Sequence, residues 1–292
     1  MNTPVSSAQS PGNRMREAVN EAGITPFIGI YDVFSAGIAG RHYDALFLSG
    51  FGFAASFYGL PDIGFITWSD MVSYVQRIRT VLPAHHLLID IDDGYTDPDV
   101  ACHVVSVLEA SGASGVVLED QKRPRRCGHF DGKQIMDLDE YLAKLRQVLA
   151  TRRDLFVIAR TDSSDPADIE RRILAFSEAG ADAVLVDGLK SLDTIRDLSA
   201  KAGRPFCFNQ IAGGKSPACT LTELREAGVK IAIYSTPCLF TAQSAIEEAM
   251  INLKKVDGSL SGSAIGVKDC TAILSENLAR RSAPSVIPQP KP

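Results

Sequence analysis

Between Gly115 and Lys133 the chain reads GVVLEDQKRPRRCGHFDGK, in which carboxylates, cations, a thiol and an imidazole follow in close succession. Gly115 to Leu118 is the continuous apolar run of a strand buried on both faces, so Glu119 and Asp120 fall where that strand leaves the core. Packing gives no reason for acids there. Lys122, Arg123, Arg125 and Arg126 come next, then Cys127, Gly128 and His129, a set of cations, nucleophile and titratable ring suited to an anionic ligand. A solvated basic loop is the plainer alternative, and the loop alone does not decide between the two.

A second concentration of acids, LLIDIDD, spans Leu87 to Asp93. Residues two apart on a strand face the same side, which predicts that Asp90 and Asp92 point together while Ile91 packs the other way. With Glu119 they form a trio of carboxylates from two adjacent strands, which repel one another unless a cation joins them, and oxygen-only ligands suit magnesium or manganese. Asp62 follows Pro61 in a glycine-rich excursion that reads as a tight turn near the same place. Taken singly, Asp93, Asp120 and Asp162 read as caps or surface ion pairs. A helix is expected to start at Trp68 with Ser69 as its cap, giving Asp70 a first-turn role.

These residues need a frame. Eight apolar runs end in polar residues: Phe27 to Asp32, Ala45 to Gly50, Leu87 to Asp93, Gly115 to Asp120, Leu155 to Asp162, Ala183 to Gly188, Pro205 to Gln210 and Ile231 to Thr236. Amphipathic segments lie between most of them, several closing on glycine. Such alternation predicts an α/β fold, a (β/α)8 TIM-type barrel, with an open doubly wound sheet as the alternative. In such a barrel the site lies at the C-terminal strand ends, which here offer Tyr31 and Asp32, Ser49 and Gly50, Asp90 and Asp92, Glu119, Arg160, Asp187, Asn209, then Ser235 and Thr236. The expected division is an N-terminal extension over 1–20, the barrel over 21–254, a linker and helix over 255–280, and a proline-rich disordered tail over 281–292. A helix held on a linker needs a docking place, and a neighbouring subunit is one.

Composition bounds the function. The chain has 292 residues, 45% of them hydrophobic, enough for a large core, and its formal charge of -5 argues against nucleic acid as a partner. The six cysteines lack CxxC pairing or zinc spacing, which predicts a reducing, cytoplasmic setting. No stretch reaches the roughly eighteen apolar residues of a membrane span, so no membrane partner is expected.

SGFGFAASFYGLPDIG, IDIDDGY, LEDQKRPRRCGH, IARTD and NQIAGGKSP, in this order and spacing, resemble the isocitrate lyase and phosphoenolpyruvate mutase superfamily from about Gly29 to Asn252. The resemblance implies a magnesium-dependent (β/α)8 barrel (manganese is the other candidate ion) acting on a small oxocarboxylate- or enolpyruvate-like substrate. It also implies homotetramers that exchange a C-terminal helix, which gives the helix after the linker its place. Carried over by position, it implies that Ser49, Gly50 and Phe51 hold the substrate carboxylate with Arg160. Asp62, Asp90, Asp92 and Glu119 match the magnesium acids, and Asn209 and Asp187 join the substrate set with Arg126 and Gly128 of the loop.

Within that superfamily the RCGH loop resembles the lyases and carboxyphosphonoenolpyruvate mutase. In the lyase branch Cys127 would protonate the carbanion left when a carbon-carbon bond breaks, its pKa lowered by Arg125, Arg126 and His129. Arg125 stands where the family has lysine, Asp187 where lyases have glutamate, and Ala212 where a glutamate often precedes the paired glycines. Phe51 is bulkier than the glycine of methylisocitrate lyases, and their C-terminal substrate arginine has no counterpart. Three functions follow. One is a lyase of 2-methylisocitrate or dimethylmalate type, releasing or using a pyruvate- or glyoxylate-like product; another is a carboxyphosphonoenolpyruvate-type phosphonomutase; the third is a non-catalytic barrel that binds a partner.

Overall fold

The computed structural model describes residues 9–21, 23–126, 128, 132–260 and 265–282. Its strands are β1 (Thr25–Ile30), β2 (Ala45–Leu48), β3 (His86–Asp90), β4 (Gly115–Glu119), β5 (Phe156–Thr161), β6 (Ala183–Val186), β7 (Phe206–Gln210) and β8 (Val229–Tyr234). All eight pair in parallel in sequence order and β8 returns to β1, closing the barrel. Every apolar run read from the sequence became one strand, and the open sheet is excluded.

The helices are α1 (Pro11–Glu21), α2 (Val33–Ala39), α3 (Gly50–Phe53), α4 (Trp68–Val81), α5 (Pro98–Ala110), α6 (Leu138–Thr151), α7 (Pro166–Ala179), α8 (Leu192–Lys201), α9 (Leu221–Glu226), α10 (Pro237–Lys255) and α11 (Val267–Ser282). Polar residues following the strands start several of them: Asp32 caps α2, Asp97 caps α5 and Asp165 caps α7, the last two with proline in the first turn. At α4 the cap is Thr67, not Ser69, because a capping box needs its acid three residues on, and that acid is Asp70.

Two apolar layers result. Strand side chains facing outward meet the helices, whereas Phe27, Phe47, Leu88, Val117, Ile158, Leu185, Cys207 and Ile233 fill the barrel interior. Helix α1 closes the N-terminal end of the barrel, with Met15 and Val19 fully buried in that inner layer. The sequence reading assigned no such plug. At the other end of the chain α11 rests on α2 and α4, Asn277 lying over Gly37.

Candidate active site

Continuing each strand by two residues beyond the inner apolar layer yields, in strand order, Gly29, Ser49, Asp90, Glu119, Arg160, Asp187, Asn209 and Ser235. The period of a strand thus carries the same inward face from a hydrophobic plug into a polar ring at the C-terminal mouth. Seven of these eight carry polar side chains, and each of the seven is buried. Ser49, Asp90, Arg160, Asp187, Asn209 and Ser235 line one small cavity of about 30 Å³ with Phe51, Asp62, Arg125 and Gly128.

Arg160 is the fixed point of this ring. Its Nη2 lies 2.8 Å from Asp187 Oδ2 and 3.2 Å from Glu119 Oε2, while Nε and Nη2 donate to Asp162 at 2.9 and 3.0 Å. Asn209 Nδ2 donates to Asp187 Oδ1 at 3.0 Å, and Ser235 donates to Asn209 Oδ1 at 2.7 Å. Burial works against the charge of Arg160, yet Asp162, Asp187 and Glu119 outweigh it and hold the guanidinium well above its ordinary pKa. A permanently charged guanidinium held rigidly at a cavity has the chemistry to attract an anionic group.

The acid cluster adjoins it through Glu119. Asp92 does not continue β3 as expected: the strand ends at Asp90, and Asp92 stands beyond it with φ +52°. Ile91 keeps its bond to Val117 O at 3.1 Å, and Gly94 then donates to Ile91 O at 2.9 Å, so the chain turns at Asp92, a residue type that tolerates the left-handed region. The turn still directs both acids inward. A methyl group built on Gly50 would lie 3.3 Å from Asp90 Oδ2, 3.6 Å from Asp92 Oδ1 and 3.7 Å from Asp62 Oδ1, so a side chain there would crowd the point where these oxygens converge.

Arg125 sits among the same acids. It lies within 2.5 Å of Asp62, 3.0 Å of Asp92 and 3.1 Å of Glu119. Even so the cluster is short of positive charge. Burial, only partly countered by Arg125 and reinforced by Asp90 and Asp62, pushes Asp92 up to about 8. Burial likewise raises Asp90 and Glu119 against the pull of Arg160 and Arg125. Glu119 Oε2 is buried and accepts no well-aligned hydrogen bond, its charge being met by Arg160 Nη2 at 3.2 Å. Among the described residues no three metal-binding side chains are arranged to hold an ion as they stand, yet the oxygen-only donors that converge near Gly50 have the chemistry of a site for a hard divalent ion.

Residues 16–254 match the family described as phosphoenolpyruvate phosphomutase. The chain belongs to that family. Its relatives include the petal death protein of Dianthus caryophyllus, 33% identical over 86% of this chain and 80% of that one. The 2-methylisocitrate lyase of Aeropyrum pernix is 30% identical over 83% of this chain and 79% of its own. Among solved structures, oxaloacetate acetylhydrolase with 3,3-difluorooxalacetate superposes with a TM-score of 0.87 at 30% identity, covering 92% of this chain and 95% of that one.

Not every residue expected in this family member's site is brought to the cavity. Arg126 does not line it; its N–H is held by Gln121 Oε1 at 2.9 Å and its guanidinium donates to Arg125 O at 3.0 Å. Cys127 and His129 lie outside the described residues. Between them Gly128 is buried at the mouth, its carbonyl accepting from Lys133 Nζ at 2.6 Å, and a Cβ there would strike Asp187 and Arg160. Two contributors escaped the sequence reading. Asp162 was read as a cap or surface pair, whereas it is buried and grips Arg160; Ser235 was noted only as a strand end, whereas it fixes Asn209. The signal for both was the count of two along the strand or one residue past its end.

Proposed function

We propose that this chain is a divalent-metal-dependent carbon-carbon lyase acting on a small 2-hydroxy or 2-oxo acid of the 2-methylisocitrate, 2,3-dimethylmalate or oxaloacetate kind. The observation that carries this reading is one cavity lined by the anchored Arg160 guanidinium and by Asp62 and Asp90, with Asp92 converging on the same point and Glu119 bridging to Arg160 at 3.2 Å. Arg160, Ser49 and the backbone at Gly50 and Phe51 hold the carboxylate end of the substrate, and Asn209, oriented by Ser235 and Asp187, holds a further oxygen. The four acids would hold magnesium or manganese, which supplies stabilisation for negative charge developing on the substrate oxygens.

When the carbon-carbon bond breaks, its electron pair stays on the carbon that becomes the new C–H, and that carbon needs a proton. Cys127 supplies it in this proposal, with His129 as the adjoining titratable group in the sequence. Gly128 lines the cavity, seated on Arg160 and Asp187 where a Cβ would clash. Arg125 keeps its proton near neutral pH, so its part is electrostatic.

The decisive experiment offers 2-methylisocitrate, 2,3-dimethylmalate and oxaloacetate to the purified chain and follows release of keto acid or acetate. The expected result is turnover of at least one of them that EDTA abolishes and Mg²⁺ or Mn²⁺ restores, and that is lost in Asp92→Ala. Full activity of Asp92→Ala in excess EDTA would overturn the reading. The same loop also fits a phosphonomutase, the activity named for one relative 31% identical to this chain, and phosphorus-carbon bond formation seen by phosphorus NMR without keto-acid release would establish that alternative. A barrel without catalysis is disfavoured because buried, incompletely paired acids cost stability and serve no packing role.

For assembly we propose a homotetramer in which α11 is exchanged between subunits. Helix α10 has no buried residue and exposes Ile246, Met250 and Ile251, and the seat of α11 on α2 and α4 is one a neighbour's helix fills with the same contacts.

A further inference from the structure

The acids assigned above to the divalent ion already hold a cation of the chain itself. Arg125 spends all three guanidinium nitrogens on them: Nη1 donates to Asp62 Oδ1 at 2.5 Å, Nη2 lies 3.0 Å from Asp92 Oδ1, and Nε donates to Glu119 Oε1 at 3.1 Å. Its side chain is 2% exposed. Two of those oxygens, Asp62 Oδ1 and Asp92 Oδ1, are the ones that converge with Asp90 Oδ2 above Gly50. Glu119 contributes one oxygen to Arg125 and turns the other to Arg160 Nη2 at 3.2 Å.

Magnesium takes carboxylate oxygens at about 2.0 to 2.1 Å, and here it would have to approach the same oxygens that the Arg125 N–H groups already bond. A guanidinium and a divalent ion sharing one buried cluster also repel each other strongly, since little solvent screens them. The two cations therefore exclude one another. Lysine would be a weaker competitor, because an ammonium is a point charge on a flexible stem and cannot bridge three carboxylates with a fixed planar fork. The arginine at this position is thus a functional departure, not a conservative one.

We propose that Arg125 is an internal counter-ion that competes with the divalent ion for Asp62, Asp92 and Glu119, so that the ion binds only when the guanidinium leaves the cluster. The proposal rests on the divalent-ion reading of those acids. The backbone does not travel far in the exchange: Gln121 grips Arg126 on both sides, accepting from its N–H at 2.9 Å and donating to its carbonyl at 2.8 Å. The movement is a rotation of the Arg125 side chain. The ion's apparent affinity is its intrinsic affinity reduced by the fraction of molecules with Arg125 withdrawn.

The test is direct Mn²⁺ titration of the full chain, by calorimetry and by the free-Mn²⁺ paramagnetic resonance signal, in the wild type, Arg125→Gln and Arg125→Lys. Arg123→Gln serves as a control, since Arg123 pairs with the neighbouring Asp93 at 2.8 Å and not with Asp62, Asp92 or Glu119. Relief of a competitor that occupies the cluster nine times in ten tightens Mn²⁺ binding about tenfold in Arg125→Gln, with a smaller gain in Arg125→Lys and about twofold or less in Arg123→Gln. If Arg125→Gln folds only when Mn²⁺ is added, as circular dichroism would report, the ion has replaced the guanidinium and the proposal stands. Mn²⁺ binding that is unchanged or weaker in both Arg125 variants overturns the proposal and leaves the metal reading intact. No Mn²⁺ binding by any of the proteins overturns both.

Discussion

Arg160 Nη2 on β5 and Asp187 Oδ2, one residue past the end of β6, lie 2.8 Å apart in the lining of the cavity, and the same Asp187 takes the amide of Asn209. One short acid therefore orients both groups proposed to bind the substrate.

Arg160→Lys keeps the charge and loses the fork. Kinetic measurement should give a fall in kcat/KM of about 100-fold, the worth of one or two charge-assisted hydrogen bonds, with the far-ultraviolet dichroism unchanged. A loss of less than threefold would remove Arg160 from substrate binding.

The barrel was legible because each strand is an apolar run closed by a polar residue, and the ring was legible because it falls at those closures. Asp92 was misplaced on the strand because alternation alone cannot tell a strand from a turn that happens to keep the same side. Asp162 was undervalued for a related reason: its partner Arg160 is two residues away, and sequence spacing does not reveal that both side chains are buried. The plug formed by α1 was not seen at all. Its stretch PGNRMREAVNE has few apolar residues, and only the open lower end of a closed barrel gives Met15 and Val19 something to fill.

That plug carries a stability prediction. Met15 is fully buried against the inner layer, with Gly115 beneath its sulfur, so Met15→Ala leaves a cavity that the rigid strands cannot collapse to fill. The expected cost is about 2 to 4 kcal/mol in urea unfolding, with kinetic constants near wild type because the opposite end of the barrel is untouched. A cost below about 0.5 kcal/mol would mean that α1 does not seal the barrel.

His86 opens β3 at the same end, and burial, reinforced by Arg14 and Arg79, lowers its pKa from 6.5 to about 4. The unfolded chain then binds more protons than the folded one between those values, so this group's contribution to stability is present above the unfolded pKa and is lost as pH falls from about 6.5 toward about 4. His86→Phe, which keeps a ring in place, should flatten the decline by about 2 kcal/mol in urea melts compared at neutral and acid pH. Parallel curves for the two proteins would exclude His86 as the source.

Truncation after Leu253 removes α11 and uncovers its seat on α2 and α4. If the helix is exchanged, sedimentation should find the tetramer converted into smaller or aggregated species. A truncated chain that keeps its full tetrameric mass would dismiss the exchange.

Cys127 separates the two enzyme readings. A lyase must deliver a proton to the nascent carbanion, and Cys127→Ser keeps the shape of the side chain while raising its pKa by several units, so turnover should fall by the roughly 100- to 10,000-fold typical of a lost general acid. Ligand affinity should hardly change, because Arg160, Ser49 and the acid cluster are themselves unaltered by the substitution. A phosphonomutase makes no net proton transfer in its core step, so there the substitution alters loop closure alone and costs much less. Turnover and the dissociation constant of an unreactive dicarboxylate are the two quantities to measure. Turnover within a few-fold of wild type would remove the proton-donor role and transfer the case to the mutase, whereas a severe loss at constant affinity is the outcome the lyase requires.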